Sequence, residues 1–450
     1  MKKNNLLKVI LITFIIFTIC SWFIKGGLFY NGNFYKAEES VAIGIGDFFS
    51  LPFQAFYLYT EYGLIFLFIG GLYGIVNKTG AYHNLIKKIS SWFLKRKILA
   101  IILSSFIIMA FESIVGNSIL TFCLIPFFVS LLTELGFNKK IIMLSTIGSL
   151  ILGSFASLTG FGGLINYLLK ISKKSLIMIR LVIFAIAFII MSVSLLLKSH
   201  KDTDNDKMDI KYEEGTKRGI GLTIIFIIFI LVSIIGLYNF ADYLGIKVFF
   251  NFSTNVLSKL KILNGVGVLG SWSTKDLAAL ILIIILIIGL FYRIKPSDLI
   301  EAFKNGAKSM LSVSFYATLA GLIFMYYYNS NEGYNFVDTI VNFIYSSSNE
   351  YLVLKTAIAT PVYSILLNNQ LFLANSIASI LTALSTNSST LASSGLVLQL
   401  TSGIFNLILP TSFILIAGLA YFNISYGSWL KYIWKILSVL ILITGIIILA

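Results

Sequence analysis

Long uncharged apolar runs recur along this chain, and about 20 consecutive apolar residues are what a helix needs to cross the hydrocarbon core of a membrane. Clear candidates lie at 7–24, 62–77, 97–111, 140–156, 176–197, 219–238, 276–292, 308–328, 353–368 and 433–450. Two more apolar regions, 112–135 and 370–422, are interrupted by polar residues. Segments 80–96, 240–270 and 333–348 are amphipathic and fit a membrane–water interface. Only 12% of the 450 residues are charged and 58% are hydrophobic, with mean hydropathy +0.92. Soluble domains carry about a quarter charged residues, so this chain cannot coat its cores in water. Its solvent is lipid, and the fold class is an all-α polytopic membrane protein of the cytoplasmic membrane.

A net charge of +15 would suggest nucleic acid for a soluble protein. Here Lys and Arg cluster between apolar segments, where they act as topology signals and membrane-surface contacts. No nucleic-acid partner is expected. Lys2 and Lys3 put the N-terminus in the cytoplasm, and the run that follows reads as an uncleaved first span. Glu38, Glu39 and Asp47 place the next loop outside; Lys78, Lys87, Lys88, Lys95, Arg96 and Lys97 place the one after it inside. The one long hydrophilic segment, Lys198 to Arg218, reads as a cytoplasmic linker. It divides the chain into an N-terminal repeat, 1–197, the linker, 198–218, and a C-terminal repeat, 219–450. Cys20 and Cys123 both lie in apolar runs, and no Cys/His cluster supports a disulfide framework or a metal site.

The halves read as related. Gly70-Gly71-Leu72-Tyr73-Gly74 running to Thr79-Gly80 is echoed by Ala320-Gly321-Leu322 running to Gly333, each followed by an amphipathic stretch. The flanking charge is opposite, because residues 329–354 lack Lys and Arg, and opposed flanks predict inverted topology. Lys170, Lys173, Lys174 and Arg180 run against that inversion, since they would fall outside.

Function is sought where polar residues break the apolar runs. One cluster runs from Glu112 through Asn117-Ser118-Ile119 to Pro126, and another from Gly153 through Ser157 and Thr159 to Gly162. The second half offers Asn375-Ser376-Ile377 and then Gly403, Asn406, Pro410, Thr411 and Ser412. Non-helical backbone is tolerated at membrane depth only where protein or water satisfies it. Matched clusters of Gly, Asn, Ser, Thr and Pro therefore predict, in each repeat, a re-entrant helical hairpin and a broken transmembrane helix around a solute site. Asn117, Ser118, Asn375, Ser376, Asn406, Thr411 and Ser412 are the candidate solute-binding residues. Gly153, Ser157, Thr159, Gly403 and Pro410 are candidates for a coupling ion, with Na⁺ slightly ahead of H⁺ because deep carboxylates are few. Small polar residues also serve close helix packing, which is the competing explanation for any one of them. Glu112 is the main acidic candidate at depth. His83, His200 and Asp338 read as solvated.

The run Asn406 to Ser412, with Gln399 and Gly403 ahead of it, resembles a signature of the YfcC-type carriers, relatives of the anaerobic dicarboxylate carriers and of the AbgT transporters. Gly71 to Gly80, Phe122 to Phe137 and Tyr426 to Lys431 resemble that family too, in order along most of the chain. The resemblance implies two inverted repeats, a central solute site, a homodimer, and either antiport of basic amino acids such as arginine and ornithine or carboxylate uptake. Asn117 and Ser118 stand where the family tends to have acidic residues, Ser402 where it has Asp, and Thr159-Gly160 where it has Asn-Pro. Losing those acids weakens the case for a cationic solute, because a buried cation needs a paired charge.

The expected function is secondary active transport of a small amino-acid or carboxylate solute by alternating access. An arginine/ornithine-type antiporter is one form of that function; the alternative is a Na⁺- or H⁺-coupled uptake carrier for a dicarboxylate or short-chain carboxylate. A membrane-embedded enzyme would need a His/Asp/Glu constellation that two loop histidines and one deep Glu do not supply. No phosphate-binding GxxxxGK[ST] loop occurs in the chain.

Overall fold

The computed structural model describes residues 5–38, 42–201, 206–210, 212, 213, 215, 219–261, 264–329, 333–346, 350–367 and 369–449. The expectations for Lys2, Lys3, Glu39 and the His200 side chain fall outside the described residues.

Apart from one two-stranded hairpin, the described regular structure is helical. After α1 (Leu6–Phe23) come β1 (Gly27–Tyr30), β2 (Asn33–Lys36) and α2 (Ile45–Leu58). A first run holds α3 (Thr60–Lys78), α4 (Ala81–Phe93), α5 (Lys97–Val115) and α6 (Ser118–Glu134). It continues with α7 (Lys139–Met143), a π-helical turn (Leu144–Gly148), α8 (Ser149–Phe155), α9 (Phe161–Leu168) and α10 (Ile177–Lys201). A middle run holds α11 (Ile220–Leu237), the short α12 (Phe240–Leu244) and α13 (Val248–Asn255), α14 (Thr274–Phe291) and α15 (Pro296–Ser309). The last run holds α16 (Leu311–Ala320), α17 (Leu322–Asn329), α18 (Phe336–Tyr345), α19 (Leu352–Leu366) and α20 (Gln370–Leu384). It closes with α21 (Ser388–Asn406), α22 (Phe413–Tyr421) and α23 (Tyr426–Leu449).

Among the described residues seven helices are long and apolar enough to cross a membrane: α1, α3, α5, α10, α11, α14 and α23. An eighth span arises if the pair Pro296–Ser309 and Leu311–Tyr326, bent by 48°, counts as one. Two of the ten runs expected to span are shorter in the structure. The runs at 140–156 and 353–368 form shorter pieces: one contains the π-helical turn and the other is the 15-residue α19 with Pro361 inside it. At 1.5 Å per residue, 15 residues reach about 22 Å, short of a core about 30 Å thick.

The succession of elements repeats. In each of two stretches an amphipathic helix (α4, α18) precedes two helices packed on one another (α5 and α6, α19 and α20). A helix that breaks before a short continuation follows (α7–α8 then α9, α21 then α22), and a long helix closes the set (α10, α23). Corresponding elements start roughly 250 residues apart. The Asn caps repeat as well. Asn117 Oδ1 accepts from Leu120 N at the start of α6, and Asn369 Oδ1 from Leu371 N at the start of α20. Asn138 and Asn387 do the same for α7 and α21. By position, then, Asn369 is the counterpart of Asn117, while Asn375 lies inside α20.

Contact clustering divides the chain into two compact units: Met1–Thr60, Ile151–Ala187 and Phe315–Ala450 form one, and Glu61–Leu150 with Phe188–Ser314 the other. In the second unit, α3 meets α15 where Gly70 and Gly74 lie against Gly306, so closely that a Cβ on Gly306 would sit 2.2 Å from the Gly70 carbonyl oxygen. The described linker residues of this unit lie against α4, α6 and α7. The Tyr212 ring stacks on His83 at 4.4 Å, its hydroxyl donates to the Ser130 carbonyl at 3.3 Å, and Asp206 pairs with Lys139 at 2.7 Å. His83 is thus half covered, because an aromatic from the linker packs on it, and not simply solvated.

In the first unit Asp338 is also not solvated. Gly27 and Asn335 exchange backbone hydrogen bonds, which lays the β-hairpin over the start of α18. Asp338 is then buried and accepts from Phe29 N–H at 2.9 Å and from the Tyr363 hydroxyl at 2.8 Å.

Candidate solute site

A helix that stops inside a protein leaves its last carbonyls without partners. At the end of α8, in the first unit, the missing donors come from Gln399 on α21. Its Nε2 donates to Phe155 O at 2.9 Å and to Ser157 O at 3.0 Å. Across the break, Gly162 N–H donates to Ser157 Oγ at 3.1 Å and so secures the first turn of α9. Gly403 lies against Phe155, where a Cβ would come within 2.5 Å of backbone, and the Gln370 amide donates to Ser154 Oγ. The break is thus a buried polar knot in which α8, α9, α20 and α21 meet.

One donor group in that knot is left over. Arg180, the fourth residue of α10, is 1% exposed. Its Nη2 donates to Asn166 Oδ1 at 3.0 Å, and its Nε has no partner. No Asp or Glu among the described residues pairs with it. Gln399 Oε1 is likewise buried without a partner. Both reach the backbone of Gly162: a Cβ there would lie 2.9 Å from Arg180 Cζ and 2.9 Å from Gln399 Oε1. The approach depends on glycine.

The second break, 407–412, is closed from α23. Trp429 Nε1 donates to Leu407 O at 2.9 Å, and the Tyr426 hydroxyl donates to Ile408 O. Trp429 is the fourth residue of α23, as Arg180 is of α10. The same station thus holds a neutral donor that is used in one half and a cation that is nearly unused in the other.

The candidate residues read from the sequence distribute as follows. Ser157, Gly403 and Gly153 lie in or beside the first knot, with Thr159 half-buried in the break itself. Asn406, Pro410, Thr411 and Ser412 lie at the second break, where Thr411 Oγ1 reaches Ser364 O at 3.4 Å. Asn375 is exposed and donates to Leu371 O of its own helix; Ser376 is half-buried on α20. Glu112, Asn117 and Ser118 belong to the other unit. There Glu112 is fully buried, with Oε1 accepting from Ser118 Oγ at 2.7 Å and Oε2 from Thr121 Oγ1 at 2.5 Å. Among the described residues no group of three or more His, Cys, Asp or Glu could hold a metal ion.

In the sequence Arg180 stands out only as a charge on the wrong side, and Gln399 only as part of a family-like run. The signal for both was available in part. An Arg four residues into an apolar 25-residue helix is costly in lipid and calls for a partner.

The family model described as C4-dicarboxylate anaerobic carrier matches residues 4–450. The solved structure of the YdaH transporter from Alcanivorax borkumensis is similar at 11% identity with a TM-score of 0.38, over 98% of this chain and 96% of that one. No curated protein matches.

Proposed function

Because the chain belongs to the C4-dicarboxylate anaerobic carrier family, we propose that this multi-pass membrane transporter moves a small carboxylate, foremost a C4-dicarboxylate, across the cytoplasmic membrane by alternating access. The observation that carries the reading is the repeated set of paired helices, broken helix and closing long helix, with polar residues gathered at both breaks. Broken helices near the middle of a membrane are where carriers hold solute and coupling ion. In this reading the pairs α5–α6 and α19–α20 are the re-entrant hairpins of two inverted repeats, the N-terminus is cytoplasmic, and the protein works as a homodimer. Na⁺ is the coupling ion assigned to oxygens at the breaks, around Ser157, Thr159 and Pro410. Four of the nearby carbonyls, those of Phe155, Ser157, Leu407 and Ile408, are engaged by side-chain donors, so an ion would have to compete for them.

Exchange of a basic amino acid is the second reading. It lacks an acid at either break: Gln399 and Arg180 stand at the first, Tyr426 and Trp429 at the second. The purified protein distinguishes the two by solute-induced thermal stabilisation. A C4-dicarboxylate should raise the melting temperature in a saturable way while arginine and ornithine leave it unchanged. Stabilisation by the basic amino acids alone would reverse the choice.

A further inference from the structure

We propose that Arg180 is the residue that receives a carboxylate of the transported solute, an assignment that rests on the carboxylate-carrier reading above. Removing a guanidinium from water is costly unless an opposite charge and hydrogen bonds replace its hydration. Arg180 is 1% exposed, makes one hydrogen bond to a neutral amide, and leaves Nε with no partner. A purely structural cap at this station would not need a charge. The matching residue of the second half, Trp429, caps a broken helix with one neutral N–H. At the first break that task is already done by Gln399, which holds both the Phe155 and Ser157 carbonyls. The fixed charge of Arg180 is therefore surplus to the fold and placed against Gly162, at the first turn after the break.

The chemistry of that surplus is specific. A guanidinium presents a planar fork that matches a carboxylate in two parallel hydrogen bonds, and it stays charged. Gln399 Oε1, also unpartnered and facing Gly162, is an acceptor. It suits a hydroxyl or a protonated carboxyl on the same solute. The pair would bind one end of an acid and leave its far carboxylate to other groups. In the state seen here both side chains are covered, so the solute reaches them only when the break between α8 and α9 opens.

The test uses the full-length protein in proteoliposomes, with succinate and its monomethyl ester as probes. Wild type should prefer the dicarboxylate. Arg180→Gln should raise the apparent KM for succinate at least tenfold, since a charge-assisted hydrogen bond of this kind is worth that much. The preference for succinate over the monoester should shrink with it. Arg180→Lys, which keeps the charge and loses the fork, should retain part of both. Asn166→Ala, which removes the neutral partner of Arg180 together with the Nδ2 contacts to the Ser172 and Lys173 carbonyls, should leave the preference intact. If Arg180→Gln folds poorly, the succinate-to-monoester ratio in Arg180→Lys decides, and an unchanged ratio overturns the assignment. Wild-type KM and preference in Arg180→Gln also overturn it while leaving the carrier reading intact. A wild-type protein that binds neither probe overturns both.

Discussion

At the scale of single residues, two polar side chains do work that their neighbours in sequence do not announce. Gln399 closes the end of α8 with two hydrogen bonds to buried carbonyls. Replacing it by Leu leaves both without donors, and an unsatisfied buried group costs about 1–3 kcal/mol. Gln399→Leu should therefore lower unfolding stability in detergent by about 2 kcal/mol or more, and equal stability of variant and wild type would show that the break is held by something else. Asp338, beneath the β-hairpin on a helix of ten residues that is too short to span a membrane, is pushed up to about 6, chiefly by burial, against hydrogen bonds that favour its ionised form. The native state holds this proton more tightly than the unfolded chain, whose carboxyl titrates near 4. Its contribution is complete below about pH 4 and is lost as pH rises through about 6. Asp338→Asn should remove that part of the pH dependence, seen as a flatter melting temperature between pH 4 and 7. Composition alone gave no reason to bury Asp338, because the contact that buries it is made by Gly27 and Phe29, some 300 positions away.

At the scale of elements, much was legible and the exceptions share one cause. Helical class, the amphipathic helices α4, α13 and α18, and the two interrupted regions all follow from local apolar pattern, which a sequence displays directly. The packing of α2 on α17 and the docking of the linker on His83 do not, because each depends on partners distant in sequence; the β-hairpin is local, its strands pairing across the Asn31-Gly32 turn. The glycines near 70–74 illustrate the difference. In the sequence they form a motif echoed at Gly321, whereas their immediate work is to admit Gly306 of α15 and the ring of Phe303. Gly306→Leu would push its side chain into the backbone of α3, and overpacking of that kind costs about 1–3 kcal/mol. A clear fall in melting temperature is expected, against little change for Gly445→Ala, whose added methyl meets nothing within 4 Å. Equal effects of the two would mean that α3 and α15 do not cross where the glycines are. The same distinction applies to the candidate site. Asn117 stands out in the sequence through the Asn-Ser-Ile run echoed at Asn375, but its counterpart by position is Asn369, six residues ahead of that echo.

At the scale of the whole molecule, composition reveals a lipid-embedded chain and a similar order of elements recurs, while packing does not follow sequence halves. Each compact unit draws segments from both sides of the 198–218 linker, and no local pattern encodes that exchange. The charge at Arg180 also changes meaning at this scale. Read as a topology signal it opposed inverted repeats; buried beside a broken helix, it no longer counts as a loop charge. The central claim is that the chain carries carboxylates. The most direct measurement is counterflow in proteoliposomes loaded with an unlabelled C4-dicarboxylate and diluted into a trace of the same labelled compound. Transient accumulation of label, abolished by an excess of a second dicarboxylate and untouched by arginine, is the expected result. Label that never exceeds the level in protein-free liposomes, for every C4-dicarboxylate and under both Na⁺ and H⁺ gradients, would contradict the claim.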